Sequence, residues 1–391
     1  MSEIKVNSVK GVGATNAAIT INNTDGTCTA NITNRSNRNL VINGNMQIAQ
    51  RASSATSTGY ETVDRFRIQG SGLDENPTQA QVDVASGSAP YNLGFRKAFK
   101  VTNGNQSSGA AAGDILRITM GLEAQTIDES GWNVLSTTSY VTVSFWVRSS
   151  VSQRFYLSLI DVHPASNKNY VIDTGVLSAN TWTKVTSTIP GNSILDFSTG
   201  VAEGLRFEWN LYRGTDSTGS VSLNAWADLD ATARVPDMTS TWFTTDNATF
   251  ELTGVQLEVG STATDFEFIS FAENLRACRR YCYAYNVREN NFIGNTSLFA
   301  NSTTQVKGAF HFPVPMRTYP TYSADSFNIR FRAGNSSANF NANSLTHEMG
   351  DDFASFPQHW GFNVVTSSIT GGQAGLLQGQ ANGQIRFEAE V

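Results

Sequence analysis

The most versatile acid–base groups in this 391-residue chain are four histidines, His163, His311, His347 and His359, and none has a companion at a spacing that organises chemistry. His347-Glu348 lacks the second histidine four residues on that would complete a zinc-binding helix face. No GxSxG nucleophile elbow and no GxxxxGK[ST] phosphate loop occurs, and Gly11-Val-Gly-Ala-Thr-Asn lacks the third glycine and following helix of a dinucleotide site. Cys28, Cys278 and Cys282 are odd in number and form no CxxC, which argues against a disulfide framework and a four-ligand zinc site. Carboxylates remain, because glycoside hydrolysis needs only two acids about 5–10 Å apart. Asp228 with Asp230, Asp351 with Asp352, and Glu251 with Glu258 are the candidates, the first two also offering oxygen ligands to Ca²⁺ without EF-hand spacing. Nothing singles out any of them, so the expectation is a chain with no catalytic residue, no metal and no cofactor.

Tryptophans offer a different chemistry. Six of the seven lie between residues 130 and 245, and an exposed indole face stacks on a sugar ring while amides and hydroxyls bond its hydroxyl groups. Trp209 shares the strand face of Leu205 and Leu211 and is expected in the core; Trp146 and Trp182 are open to either reading. Trp226 and Trp242, set among Ser, Thr and Asn, are the predicted carbohydrate-binding platforms. Composition narrows the partners further. A net charge of −6 and a pI near 5.3 argue against a nucleic-acid binder, which carries a basic face. No run of about 18 apolar residues predicts a membrane span, and the opening MSEIKVNSVKG lacks the apolar core of a signal peptide, so synthesis in a cytoplasm is expected.

The elements that must position these groups read as strands. In Tyr140–Val147 the residues Val141, Val143, Phe145 and Val147 alternate with Thr142, Ser144 and Trp146, and Leu205–Leu211 behaves likewise, with Arg206, Glu208 and Asn210 opposite its apolar face. In Phe250–Val259 the apolar positions change parity across Thr253-Gly254, which predicts a β-bulge at the glycine. Many short strands separated by turn signals predict an all-β chain: a jelly-roll sandwich over 39–270, a linking helix over 271–286 opened by the capping box Ser270…Glu273, and a C-terminal β-sandwich over 287–391. The helix stripe would bury Phe271, Leu275, Cys278 and Cys282, with the cysteines as small core residues. The Gly-rich segment 371–383 reads as a loop whose Leu376 and Leu377 cover a neighbouring subunit. Residues 1–38 hold no aromatic side chain and cannot make a core of their own; an extended arm docking elsewhere through Ile4, Val6, Val9, Ile19 and Ile21 is predicted.

Several segments together resemble a known family. NLVINGNMQIAQR (39–51), TVDRFRI (62–68) and above all GVQLEVGSTATDFEFISFAENLRACRRYCY (254–283) resemble a widespread family of bacteriophage virion proteins, tail fibres and structural proteins common in phages of marine bacteria. The opening SEIKVNSVKGVGATNAAITINN and FPVPMRTYPT (312–321) are similar to its N-terminal segment and to the start of its C-terminal domain. The resemblance implies a carbohydrate-binding-module-like jelly roll in a homotrimeric tail fibre, located on the phage tail. Its N-terminal arm would bind other virion proteins, and its distal domains would bind host surface polysaccharide. The chain departs from the family at Asp265–Ile269, where a Phe-Glu pair commonly followed by His-Arg runs on into Phe268-Ile269. Alternatives are a head fibre or capsid decoration protein, and a glycan depolymerase, although the short repeats of a β-helix are absent.

Overall fold

The computed structural model describes residues 6–10, 12, 19–21, 24, 28–30, 36–165, 167–293, 296–324, 329–333, 339–341, 344–347, 359–365, 369–379 and 382–391. Three short strands come first: β1 (Ser8–Val9), β2 (Ile19–Ile21) and β3 (Cys28–Ala30), paired antiparallel in that order. Val9 on this small sheet and Val6 just before it are exposed, Ile19 and Ile21 are half-buried, and Ile4 lies outside the described residues.

The largest body is a sandwich of twelve strands. These are β4 (Ser54–Thr56), β5 (Arg67–Ser71), β6 (Thr78–Asp83), β7 (Lys97–Thr102), β8 (Ile115–Glu123), β9 (Tyr140–Ser149), β10 (Arg154–Asp161), β11 (Lys168–Val176), β12 (Thr183–Pro190), β13 (Glu203–Arg213), β14 (Trp226–Asp228) and β15 (Thr249–Val259). They form two six-stranded antiparallel sheets, ordered β14-β11-β10-β13-β8-β5 and β12-β9-β15-β7-β6-β4. Period-two alternation sends Val141, Val143, Phe145 and Val147 of β9 and Leu205, Phe207, Trp209 and Leu211 of β13 into one core. Trp209 fills its middle, with ring centroids 5.6 Å from Phe207, 5.9 Å from Phe145 and 6.1 Å from Phe66. Each such aromatic pair adds about 0.5–1.5 kcal/mol beyond area burial.

The bulge in β15 lies where the parity change placed it. Its register against β9 shifts between Thr253 and Gln256, Gly254 has φ +65°, and Phe250, Leu252, Val255 and Leu257 are all buried. A Cβ at Gly254 would lie 2.7 Å from Phe95 Cζ.

Among the described residues four short α-helices interrupt the strands: α1 (Ala89–Asn92), α2 (Ala124–Asp128), α3 (Thr241–Thr244) and α4 (Phe271–Cys278). The capping box at Ser270 and Glu273 is formed in both directions, but the helix ends at Cys278, short of the 286 expected. The next residues, YCYAYNV, are aromatic and alternating, and pair as a strand instead. The buried stripe of α4 is Asn274 and Cys278; Phe271 is 63% exposed.

The remaining strands are β16 (Cys282–Val287), β17 (Thr296–Ala300), β18 (Gln305–His311), β19 (Thr321–Ala324), β20 (Ile329–Ala333), β21 (Asn339–Asn341), β22 (Ser344–His347), β23 (His359–Val365), β24 (Ala374–Gly379) and β25 (Gly383–Glu388). They make a seven-stranded sheet, β21-β20-β24-β17-β18-β23-β22, and a three-stranded one, β16-β25-β19. Their core gathers Tyr283, Val306, Phe312, Met316, Leu377, Ile385 and Phe387. The Gly-rich segment expected to be a loop contains β24, which buries Leu377 and leaves Leu376 44% exposed. Its glycines permit close packing: a Cβ on Gly379 would come 2.5 Å from Val287 Cγ1. Among the described residues no helix is long and apolar enough to cross a membrane.

The C-terminal residues return to the first sandwich. Arg51 bonds Glu388 at 2.7 Å and Glu390 at 3.0 Å, and Arg65 bonds Glu390 while its guanidinium lies 3.4 Å from the centroid of the Tyr281 ring. Arg317 donates to the carbonyls of Ala389, Glu390 and Val201, and Tyr60 Oη donates to Val391 O. Arg51, Arg65 and the Glu390 carboxylate are nearly or wholly buried, so these pairs are formed away from water.

Candidate functional site

The histidines and acids singled out by type do not converge. His163 accepts from Ala165 N at 3.2 Å and lies 3.4 Å from Asp196, whereas His311, His347 and His359 belong to strands of the seven-stranded sheet. Asp228 pairs with Lys168, and Asp230 accepts from Thr232; both acids are exposed. Glu251 pairs with Arg148, while Glu258 accepts from Thr264 and Gln256, seven residues further along β15. Asp351 and Asp352 lie outside the described residues. Among the described residues no group of three His, Cys, Asp or Glu side chains is placed to hold a metal ion. Cys278 and Cys282 are buried free thiols whose pKa values burial pushes up, which suits inert core residues.

Both predicted platforms are buried, which corrects the expectation of exposure. Trp242 is 0% exposed, donates to Thr249 O at 3.0 Å and meets the Phe155 ring edge-on. Trp226 is 7% exposed, donates to Pro190 O at 2.9 Å and packs on Tyr170 at 5.3 Å. Their polar neighbours in sequence were misleading because strand pairing of β14 with β11, and the packing of α3, are decided by residues far away in the chain.

One group of aromatics that reaches the surface lies on the outer face of the second sheet. The alternation that buries Phe145 turns Ser144 and Trp146 outward, and the β12 register sets Lys184 opposite Trp146. The glycine bulge keeps the floor low beside Trp146, since a Cβ on Gly254 would sit 3.2 Å from its indole. The segment Asp265–Phe268 then folds over this face. Phe95, Phe266 and Phe268 form a mutual cluster with centroids 4.9–5.1 Å apart. The result is a cleft of about 240 Å³ with Trp146, Phe95, Phe266, Phe268 and Leu93 as apolar walls and Ser144, Lys184 and Asp265 as its polar groups. Leu93 and Phe268 are about half exposed, and Trp182 packs alongside. An indole face among apolar side chains, with a few hydrogen-bonding groups at its edge, is an arrangement that grips a sugar ring on its CH face and its hydroxyls. Within the segment Asp265–Ile269, Phe266 and Phe268 supply part of this wall and Asp265 one of its polar groups.

Segment 39–51 clamps α4 and is tied in turn to segment 62–68. Asn43 N donates to Asn274 Oδ1 at 3.1 Å, and Asn274 Nδ2 donates to Asn45 Oδ1 at 3.1 Å. Gly44 passes so close to β15 that a Cβ there would lie 2.0 Å from Val255 O. Gln50 N and Nε2 both donate to Asp64, whose pKa burial pushes up to about 6 against the opposing pull of Arg51 and Gln50.

No family model matches the chain, and no curated protein matches it. Among solved structures it is similar to the enzymatically active domain of tailspike protein 4 of bacteriophage CBA120 (11% identity, TM-score 0.28, 57% of this chain and 22% of that one). It is similar to a carbohydrate-binding module of family 4 (12%, TM-score 0.28, 56% and 98%). It is also similar to the CBM22-1–GH10 modules of xylanase 10B from Clostridium thermocellum in complex with xylohexaose (12%, TM-score 0.26, 58% and 31%). The chain thus spans about a fifth of the tailspike chain and a third of the xylanase chain, but nearly all of the family 4 module. Likeness at these TM-scores carries no ligand and no activity across.

Proposed function

We propose that the chain is a non-enzymatic saccharide-binding protein whose site is the aromatic cleft at Trp146. The observation that carries this reading is the cleft itself: an indole turned outward on a strand paired on both sides, sharing the cleft with Phe268, Ser144, Lys184 and Asp265. The proposed setting is a phage particle, with the chain as a homotrimeric tail fibre that adsorbs to host surface polysaccharide. What supports that setting is the family resemblance of the segments that build the α4 clamp, together with the β1–β3 sheet, whose exposed Val9, with Val6 just before it, suits docking onto another virion protein. Many weak sugar contacts multiplied by copy number then give adsorption, since avidity exceeds single-site affinity by about 100-fold or more.

Two experiments test these two parts. On an array of surface polysaccharides, Trp146→Ala is expected to lose at least about tenfold in binding, the effect of removing one stacking platform, with its melting temperature within a few degrees of the parent. Equal binding by the variant contradicts the cleft as the site. Deleting residues 1–35 is expected to leave a soluble, glycan-binding protein that no longer enters particles, because Asn37, Arg38 and Asn39 keep their bonds to Glu267 and Thr264. Incorporation at normal copy number contradicts the arm as anchor.

A further inference from the structure

Two charged side chains of opposite sign line the Trp146 cleft, and neither is compensated. Lys184 and Asp265 are both exposed, and among the described residues neither side chain makes an ion pair or a hydrogen bond, with the other or with any neighbour. Three arginines close to the cleft's residues are engaged elsewhere. Arg148, two positions beyond Trp146 on β9, lies 3.6 Å from Glu251. Arg96, next to Phe95, donates to the carbonyls of Tyr91 and Phe95 and stacks 4.0 Å from the centroid of the Tyr91 ring. Arg38 donates to the Asp265 carbonyl, not its carboxylate, and lies 3.7 Å from Glu258.

The two charges stand on different elements. Lys184 is on β12, opposite Trp146 in the register, and Asp265 opens the segment that brings in Phe266 and Phe268. A lone cation entering the cleft is drawn to Asp265 but repelled by Lys184, and a lone anion meets the reverse. A group that carries both charges satisfies both. The aromatic walls decide which end goes where, because ring faces attract a cation and repel an anion. The positive end therefore belongs beside Asp265, against Phe266, Phe268 and Trp146. The negative end belongs beside Lys184, with the Ser144 hydroxyl of the same cleft as a further donor. A primary ammonium has three N–H donors to satisfy and meets few acceptors among these rings; a methylated ammonium has none and lays its methyl groups on them.

We propose that the Trp146 cleft recognises a zwitterionic substituent on a saccharide, a methylated ammonium joined to an anionic group as in phosphocholine. The inference rests on the cleft being the saccharide site and adds what that saccharide carries.

Isothermal titration of the full chain with phosphocholine, choline and inorganic phosphate tests the two ends separately. Phosphocholine is expected to bind at least about tenfold more tightly than either half, and phosphoethanolamine about tenfold more weakly than phosphocholine. Removing one charge should move the ligands in opposite directions. Lys184→Gln is expected to weaken phosphocholine about tenfold and tighten choline, whereas Asp265→Asn weakens choline and tightens phosphate. A variant that merely loosens the fold weakens all of them together. Phosphocholine binding no tighter than its halves, an unchanged response in folded variants at both positions, or a preference for phosphatidylcholine vesicles over a phosphocholine-substituted polysaccharide would each overturn the proposal. A neutral polysaccharide held through Trp146 without competition from phosphocholine overturns it too, yet leaves the cleft as a saccharide site; no Trp146-dependent binding of any polysaccharide overturns both.

Discussion

Replacing Glu390 by alanine is expected to cost about 3–5 kcal/mol of stability, because it strands two buried arginines rather than removing one surface bond. Arg51 and Arg65 both terminate on this carboxylate, and neither guanidinium has appreciable exposure. Burial pushes the Glu390 pKa up, but Arg65 and Arg51 outweigh it and hold the carboxyl below its ordinary value. Arg51 retains the carboxylates of Glu388 and Asp64 in the variant, whereas Arg65 is left with uncharged partners such as the Gly121 carbonyl and the Tyr281 ring. Equilibrium urea unfolding measures the loss. Glu390→Gln should recover little of it, since an amide cannot neutralise either arginine. A change below about 1 kcal/mol, the value of a solvated pair, would mean that the C-terminal residues do not dock onto Arg51 and Arg65 as described.

Glu208→Gln is expected to be about as costly, again about 3–5 kcal/mol, because Arg213 and Arg117 lose their buried counter-charge together. Burial, with the like charges of Arg117 and Arg234, lowers the Arg213 pKa to about 10 even with Glu208 beside it. The same carboxylate shapes acid stability. Burial raises its pKa, but Arg117, Arg213, Arg234 and Arg206 prevail, so the folded value lies below the 4.5 of a free glutamate. A carboxyl depressed in the fold stabilises it above its unfolded pKa and ceases to do so as pH falls through the folded value. Glu390 and Glu123 act in the same sense, the latter raised by burial but lowered further by Arg280 and Tyr281. Asp64 acts oppositely: raised to about 6 from 3.8, it binds a proton in the fold first, so its contribution is present below 3.8 and is lost as pH rises through 6. The urea midpoint should therefore fall steeply below about pH 4.5, and Glu208→Gln should flatten that limb. An unchanged acid limb in the variant would contradict the coupling of Glu208 to its four arginines.

The fold was legible where alternation is strict. Val141–Val147 and Leu205–Leu211 announce their inner faces, and the parity change at Gly254 gives the bulge to the residue. The site was legible only by residue type. An aromatic-rich surface was expected, but Trp226 and Trp242 are indistinguishable from exposed tryptophans until long-range pairing buries them. Trp146 was recoverable in principle: it interrupts the polar run Thr142, Ser144 and Arg148 on the outward face of β9. The arginine cluster around Glu208 was missed because charged residues opposite an apolar strand face read as solvated. Its signal is their number, Arg206, Glu208, Asn210 and Arg213 on one strand, but their convergence with Arg117 and Arg234 needs the three-dimensional register. The helix overran its end in the reading because Cys282 keeps helical spacing with Cys278, while the aromatic alternation after it favours β16.

The most direct measurement is a structure of the full chain with the oligosaccharide that it binds best. A sugar ring packed flat against the Trp146 indole at about 4 Å, with its hydroxyls on Ser144, Lys184 or Asp265, is the expected result. A saccharide bound with the Trp146 cleft left empty, or found cleaved between two carboxylates, would contradict the cleft as a non-enzymatic binding site.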